Sequence, residues 1–379
     1  MKIFNQNKLQ YIPYIEKFLF LFKILRYPIW LLAILIRLFS KNRPDYLIAD
    51  GFLIGDCVLL RPLCKAIEAK SSNSYYMGGT HSKFLLEDIQ LKIIENQFPW
   101  ATYNYSYKNL CKQLKVWFKI FLLQPHTIIE TRGDLRSILF LYMACPKKLV
   151  GYSFTGGKTF LDVEPEDDGK IDSLGKHVER LTIALGLEYV SESIRHKQIF
   201  IKPKRIPEIG LSFSGSQVLK TMPFQVAKKL LEILSDIPLK LSYLSFKKDF
   251  FFKANQELLK GFNINIVPEK NFQGYLDILK TLDGYIGMDS SGGHICSIYQ
   301  VPCMIFFGTF SAEYAQPIGN PYFIPIETNK DYFCRPCNGS NCHNIKYQSC
   351  LNDISQIVLE EKIQDFIKMI NDRKSYYKP

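Results

Sequence analysis

Asp56 stands in the run Ile54-Gly55-Asp56-Cys57-Val58, after the short apolar stretch Tyr46–Ala49 and before a helical pattern over about 58–70. A carboxylate on a glycine turn beyond a strand's C-terminal end sits where α/β proteins bind ligands. There it can take a proton from an attacking hydroxyl. In a bare fold the same residue caps the helix. A second run, Gly287-Met288-Asp289-Ser290-Ser291-Gly292-Gly293-His294, follows an expected strand at Gly284–Gly287 and enters an apolar helix. Backbone N–H groups of a Ser/Gly turn at a helix N-terminus form an anion site, and a pyrophosphate fits one well. Asp289 could accept from ligand hydroxyls, and His294, one turn into the helix, could reach phosphates. Without a ligand, the run is a capped turn.

Ser214-Gly215-Ser216, followed by Lys220 and Pro223, repeats the pattern of strand, small-residue turn and helix. Its small residues admit a phosphate to the backbone, and Lys220 supplies a compact positive charge, although an isolated loop lysine is ordinarily just solvated. Cys334, Cys337, Cys342 and Cys350 follow C-x2-C-x4-C-x7-C. Four thiolates so close together suit tetrahedral zinc or iron; free thiols or a redox pair are the other readings. Gly156-Gly157-Lys158-Thr159 imitates the end of a phosphate-binding P-loop but lacks the glycine five residues earlier, because Tyr152 stands there.

These groups need a scaffold. The length of 379 residues suits two α/β domains, each with a core of its own. Strands are expected at Tyr46–Ala49, Ser74–Met77 and His126–Glu130, with helices at Tyr107–Leu123, Leu135–Ala144 and Lys176–Leu185. The acidic stretch 164–169 reads as a loop, and the basic, proline-rich segment 202–207 as the linker between domains. Strands then recur at Ile209–Phe213, Leu239–Leu244, Ile264–Ile266, Gly284–Gly287 and Cys303–Phe307. Helices fall at Phe224–Leu234, Gly274–Leu282 and Ile357–Ile370. The expected division is 1–44 as an N-terminal segment, 45–203 and 204–355 as two domains, and 356–379 as a terminal helix and tail. The ten cysteines form no secreted disulfide pattern, which points to a reducing cytoplasm.

The net charge is +12, and residues 1–45 carry eight Lys/Arg against Glu16 and Asp45. Such a face favours anionic partners: phosphorylated glycolipid, an anionic bilayer or nucleic acid. Residues 18–39 are rich in Leu, Ile, Phe and Trp, but the longest charge-free run, Tyr27–Ile36, is too short to span a bilayer and contains Pro28. On a helix, Lys23, Arg26, Arg37 and Lys41 form one narrow stripe. That suits a helix in the membrane interface with its basic edge toward lipid phosphates; the alternative is a helix packed on the protein.

Taken in order, the pieces resemble the lipopolysaccharide heptosyltransferases of glycosyltransferase family 9. The family's I-G-D-x-V-x-x-x-P turn is matched by Ile54-Gly55-Asp56-Cys57-Val58 with Pro62. Its D-x-R-G-D-x-R-S segment is matched by Glu130-Thr131-Arg132-Gly133-Asp134-Leu135-Arg136-Ser137 and followed by Gly151-Tyr152. Its H-x-x-E-R is matched by His177 to Arg180, before Leu185-Gly186. P-G-S…K-x-x-P is matched by Ser214-Gly215-Ser216, Lys220 and Pro223, and D-S-G-P-x-H by Asp289 to His294. The strand motif G-x-P-x-x-x-x-F-G falls at Val301 to Gly308. Many members also carry the C-x-x-C…C…C tail. The match runs from about 46 to 355.

The resemblance implies a GT-B fold, two Rossmann-like domains facing a cleft, with the acceptor on the first and the nucleotide-sugar on the second. It implies inverting transfer, without metal at the reaction, of heptose from ADP-heptose to a lipopolysaccharide core or related surface-glycan acceptor. By carry-over Asp56 is the general base. Ser216, Lys220, Asp289, Ser290, Ser291, Gly292, Gly293 and His294 hold the donor, and Arg132 and Arg136 lie on the acceptor side. Cys334, Cys337, Cys342 and Cys350 hold at most a structural zinc or iron. The implied partners are an anionic glycolipid and the cytoplasmic surface of the inner membrane, and no nucleic acid. Ser291 stands where the family usually has Gly and Gly292 where it often has Pro, so another donor, or a protein acceptor, stays open. A metal-stabilised module binding membrane or nucleic acid without catalysis is the competing class; it has no use for Asp56, Lys220 and His294 together.

Overall fold

The computed structural model describes residues 13–376 except 41, 52, 103–104, 167–172, 197–205, 216, 269, 336 and 338–340. Ser216, Lys41, most of the 202–207 segment and half of the 164–169 stretch therefore lie outside the described residues. The chain forms two compact units, Met1–Val190 and Ser191–Pro379.

In the first unit, β1 (Tyr46–Ala49), β2 (Ser74–Gly78), β3 (Lys92–Glu95), β4 (Thr127–Glu130) and β5 (Lys148–Gly151) form a parallel sheet in the order β3-β2-β1-β4-β5. The central strands read as unbroken apolar runs because strands of a covered parallel sheet are buried on both faces. Leu47, Ala49, Met77, Ile128, Ile138 and Leu141 make the core. The order reverses between β1 and β4, where Ala49 pairs with Glu130. Open α/β sheets bind ligands beyond the strand ends at such a reversal.

The second unit repeats the plan with one more strand. β6 (Glu208–Ser212), β7 (Lys240–Leu244), β8 (Asn265–Val267), β9 (Gly284–Met288), β10 (Cys303–Phe306) and β11 (Phe323–Ile326) run in parallel in the order β11-β10-β9-β6-β7-β8. The reversal lies between β6 and β9, at the pair Ser212 and Gly287. The terminal helix Gln356–Tyr376 belongs to this unit. Its Leu359, Ile363, Phe366 and Ile370 recur at helical spacing and join the core, and Phe366 presses so closely on Gly284 that a Cβ there would lie 2.6 Å away.

The N-terminal helix Pro13–Phe39 lies along the first unit, and its orientation reverses the expectation. Of the basic stripe, Lys23, Arg26 and Arg37 meet groups of the protein. The Arg26 guanidinium lies 3.8 Å from the Tyr142 ring centroid and the Lys23 ammonium 5.9 Å from that of Phe160. Arg37 donates to Gln124 Oε1 at 2.8 Å and to the Cys145 carbonyl. Ala33 is buried against Phe121 and Cys145, flanked by Ile29, Ile36 and Trp117. The physical reason is that aromatic faces and inward carbonyls accept cations as well as phosphates do. The opposite face exposes Phe20, Ile24, Leu31, Leu32, Leu35 and Leu38. By length and composition Leu19–Phe39 could cross a membrane.

Candidate functional site

Each unit holds an ion pair on the loops at its strand-order reversal, with one partner from each loop. In the first unit the helix begins at Ile54, four residues earlier than the sequence suggests, so Asp56 lies in its first turn. Asp56 Oδ2 accepts from the Leu53 N–H at 3.1 Å, and Oδ1 accepts from Arg132 at 2.8 Å. Asp56 thus caps the helix start with one carboxylate oxygen and pairs with Arg132 through the other.

Arg132 is placed by Glu130. This residue ends β4 with its side chain fully buried, and its Oε2 accepts from the backbone N–H of Arg132 at 3.1 Å and of Gly133 at 2.6 Å. Gly133 has φ of 67°, and a Cβ there would meet Phe154 at 2.7 Å, so the turn requires glycine. Burial pushes the Glu130 carboxyl up to about 8, against the two N–H donors that favour its charged form. Arg136 is held differently: it grips Asp134 through Nε at 3.0 Å and a terminal nitrogen at 2.6 Å and reaches the Tyr105 hydroxyl at 3.3 Å. The structure does not join it to Asp56. His81, just past β2, lies near enough that the Asp56 carboxylate raises its proton affinity, although burial lowers it overall. Glu130 and His81 were not singled out from the sequence. The Gly78-Gly79 pair before His81 was the available signal.

In the second unit Lys220 Nζ donates to Asp289 Oδ2 at 2.6 Å and lies 5.2 Å from the Phe310 ring centroid. Ser214 and Thr221 bridge, and the Gly215 N–H donates to the Lys220 carbonyl at 2.7 Å. A Cβ on Gly215 would meet that of Lys220 at 2.7 Å, so glycine lets the loop close. Ser214 is buried, its hydroxyl donating to Asp249 at 2.7 Å. The two expected donor segments, 214–220 and 289–294, therefore meet through Lys220 and Asp289.

The helix Ser291–Tyr299 starts without a side-chain cap from Ser290. Its first-turn N–H groups are therefore not capped by that side chain. Gly292 follows from packing: a Cβ would lie 2.3 Å from the Tyr285 hydroxyl and 2.9 Å from that of Tyr275. That space excludes the proline common at this position in the resembled family. Asp289 and His294 are both buried. Phe310, which covers Lys220, was missed from the sequence; only its place just past Gly308-Thr309 hinted at it.

No family model and no curated protein matches the chain, but solved structures do. The E. coli heptosyltransferase WaaC, solved with ADP, superposes with a TM-score of 0.63 at 12% identity, covering 85% of this chain and 99% of its own. The family 9 glycosyl transferase of Veillonella parvula gives 0.64 at 12% identity, covering 87% and 98%. The fold is that of the family 9 heptosyltransferases. The dodecameric, iron-containing heptosyltransferase TibC, in complex with ADP-D-β-D-heptose, gives 0.52 at 10% identity, covering 87% and 78%. At these identities the heptosyltransferase likeness is one of fold.

Cys334, Cys337, Cys342 and Cys350 line one small cavity beside Leu219 and Thr309. Burial pushes the Cys337 thiol up to about 11, and the neighbouring thiols add to the shift; burial also raises Cys350, against the pull of Arg335. Among the described residues no three His, Cys, Asp or Glu stand close enough together to hold a metal in this arrangement. The four sulfurs line one cavity, and the Gln348 N–H donates to Cys342 Sγ at 3.3 Å.

Proposed function

We propose that the chain is an inverting glycosyltransferase that moves a sugar, heptose in the first instance, from a nucleotide-diphosphate donor to a lipopolysaccharide core or related surface glycan. The observation that carries this reading is the pair of ion pairs: a heptosyltransferase fold with Asp56–Arg132 at one strand-order reversal and Lys220–Asp289 at the other. Asp56 takes the proton of the acceptor hydroxyl as its oxygen attacks the anomeric carbon. The bond from that carbon to the diphosphate breaks on the opposite face, and the nucleotide diphosphate leaves. Lys220 and the N–H groups that open the helix Ser291–Tyr299 meet the charge that grows on the leaving phosphates. Arg132 fixes the direction of the Asp56 carboxylate, and with Arg136 supplies cations for an anionic glycolipid. His294 lines the donor side. The four cysteines would hold zinc or iron, which when bound cross-links the tail loops.

The enzyme works at the cytoplasmic face of the inner membrane in this reading, with the N-terminal helix lying in the interface. The apolar outer face favours that arrangement. So does its neighbour, the helix Tyr107–Leu123, which exposes Leu110, Leu114, Phe118 and Leu122 amid Lys108, Lys112, Lys115 and Lys119. Contacts with the first unit run from Leu19 to Arg37, so a membrane-crossing helix would drag the globular unit into the bilayer.

The test is sugar transfer from ADP-heptose and a panel of other nucleotide-sugars, with binding followed by calorimetry. Positioned general-base catalysis contributes about 10²–10⁴-fold, so Asp56→Asn should lose turnover on that scale while ADP affinity stays near wild type. Unchanged turnover removes Asp56 from the mechanism, and binding of no nucleotide-sugar at all retires the enzyme reading.

A further inference from the structure

Gln348 lies between two of the tail cysteines, yet both of its side-chain hydrogen bonds go to the Lys220 loop. Its Nε2 donates to the Leu219 carbonyl at 3.1 Å and to the Thr221 carbonyl at 3.0 Å. The carbonyl between them, that of Lys220, is taken by the Gly215 N–H at 2.7 Å. Three successive carbonyls are therefore fixed, and the middle residue's only freedom is its own side chain. Gln348 is buried, and it holds this place in a left-handed conformation, φ 51° and ψ 38°, that non-glycine residues adopt rarely. Its backbone is anchored on both sides: the N–H on Cys342 Sγ, and the carbonyl accepting from Leu351 and Asn352 at 3.0 Å each. Strained backbone that the surroundings hold in place is concentrated where function needs a fixed geometry.

We propose that Gln348 is a positioning residue for the donor site: it clamps the Lys220 loop to the cysteine-bearing tail, so that the Lys220 ammonium is aimed at the donor's phosphates before the donor arrives. This rests on the reading of Lys220 as the phosphate-binding cation. Pre-organisation of this kind raises affinity by removing the ordering cost from the binding step. The clamp also explains what a cysteine module is doing next to a nucleotide site, since the cavity of the four thiols is lined by Leu219 itself.

The experiment is a double-mutant cycle on the full chain, with ADP as the probe. Gln348→Gly removes the clamp and relaxes the left-handed backbone, so the fold is not penalised there. Gln348→Asn, which tolerates the same backbone but is one methylene shorter, serves as the second variant. Each leaves the Leu219 and Thr221 carbonyls without this donor, so each should melt a few degrees lower but still fold cooperatively, and should bind ADP roughly tenfold more weakly because the ordering of the Lys220 loop then falls on the binding step. In a Lys220→Ala background neither should weaken ADP binding further, because Gln348 acts only through Lys220. An equal loss in both backgrounds means a general structural role and overturns the clamp. So does wild-type affinity in both Gln348 variants while Lys220→Ala binds weakly, an outcome that leaves the donor reading standing. Wild-type affinity in Lys220→Ala removes the donor reading and the clamp together.

Discussion

Replacing Lys220 by methionine removes the cation 2.6 Å from the Asp289 carboxylate while keeping most of the side chain's bulk. The Asp289 side chain is only 6% exposed and that of Lys220 19%, so the carboxylate left behind has little water to turn to. Breaking a fully buried pair from one side costs about 3–5 kcal/mol. Discounting for the partly exposed lysine leaves roughly 2–3 kcal/mol. In a unit the size of Ser191–Pro379, that lowers the melting temperature by about 5–10 °C. Adding Asp289→Asn removes the stranded charge, and a neutral pair in place of a buried ionic one is close to neutral in stability. The double variant should therefore melt near wild type. ADP binding should not recover with it: the single and double variants both lack the phosphate's cation, and loss of one charge-assisted contact weakens binding about 10- to 100-fold. Thermal melts and calorimetric titration with ADP read the two effects separately. A double variant that melts as low as Lys220→Met would show that the pair is not coupled. Lys220→Met binding ADP as tightly as wild type would show that the donor's phosphates bind elsewhere.

Protein purified without added metal should contain about one zinc or iron per chain, the occupancy of a four-sulfur site, and Cys334→Ser with Cys337→Ser should abolish it and lower the melting temperature; a metal-free wild type of equal stability would leave the cysteines as thiols. Leu25, Leu32 and Leu35, each about half exposed on the outer face of the N-terminal helix, should together contribute about 3 kcal/mol to bilayer binding. Changing all three to Gln should then weaken binding to anionic vesicles about 100-fold with no change in melting, and equal binding would assign that face to another partner. Glu130 gives the pH dependence. Its native carboxyl is raised from 4.5 to about 8, so between those values the folded chain keeps a proton that the unfolded chain releases. That part of stability is complete below pH 4.5 and declines as pH rises toward 8, by at most about 5 kcal/mol. Glu130→Gln should flatten this slope in melts from pH 5 to 9; identical slopes would refute the buried, protonated carboxyl.

The strands at the centre of each sheet were legible because burial on both faces leaves a plain apolar signature, as in Tyr46–Ala49 and Gly284–Met288. β3 and β11 lie at sheet edges, keep partly exposed residues, and in β11 include Pro325, so their runs carry no such mark and were not foreseen. Turn chemistry drew notice to Lys220 and Asp289, since only small residues fit at Gly215 and Gly292 beside them, and to Asp56 through the Gly55 turn. Their partners were not legible. Asp56 and Arg132 stand 76 residues apart, Lys220 and Asp289 69, and Gln348 more than 120 from the carbonyls it binds; no local spacing records such contacts. The N-terminal stripe failed for another reason. Period 3.6 identifies two faces of a helix but not which one meets the protein, and Tyr142, Phe160 and the Cys145 carbonyl decided that in favour of the cations.

The two ion pairs also bear on selectivity. A carboxylate as buried as Asp289 is expensive without a counter-charge, so the empty site is stabilised by giving it Lys220. A ligand that is to use Lys220 must then compete with a carboxylate already in contact, or share the cation with it. A neutral sugar cannot do so. A single phosphate ester brings its charge to one point, either the lysine or the helix start. In the proposed donor reading a diphosphate would use both, one phosphate at Lys220 and the other at the N–H groups that open the helix Ser291–Tyr299, where the helix dipole adds to the attraction. On that reading the internal pair would favour nucleoside diphosphates over monophosphates, and ADP should compete with the donor more strongly than AMP; equal competition would refute it. The proposed Gln348 clamp would add to this preference, because its hydrogen bonds to the Leu219 and Thr221 carbonyls restrain the Lys220 loop.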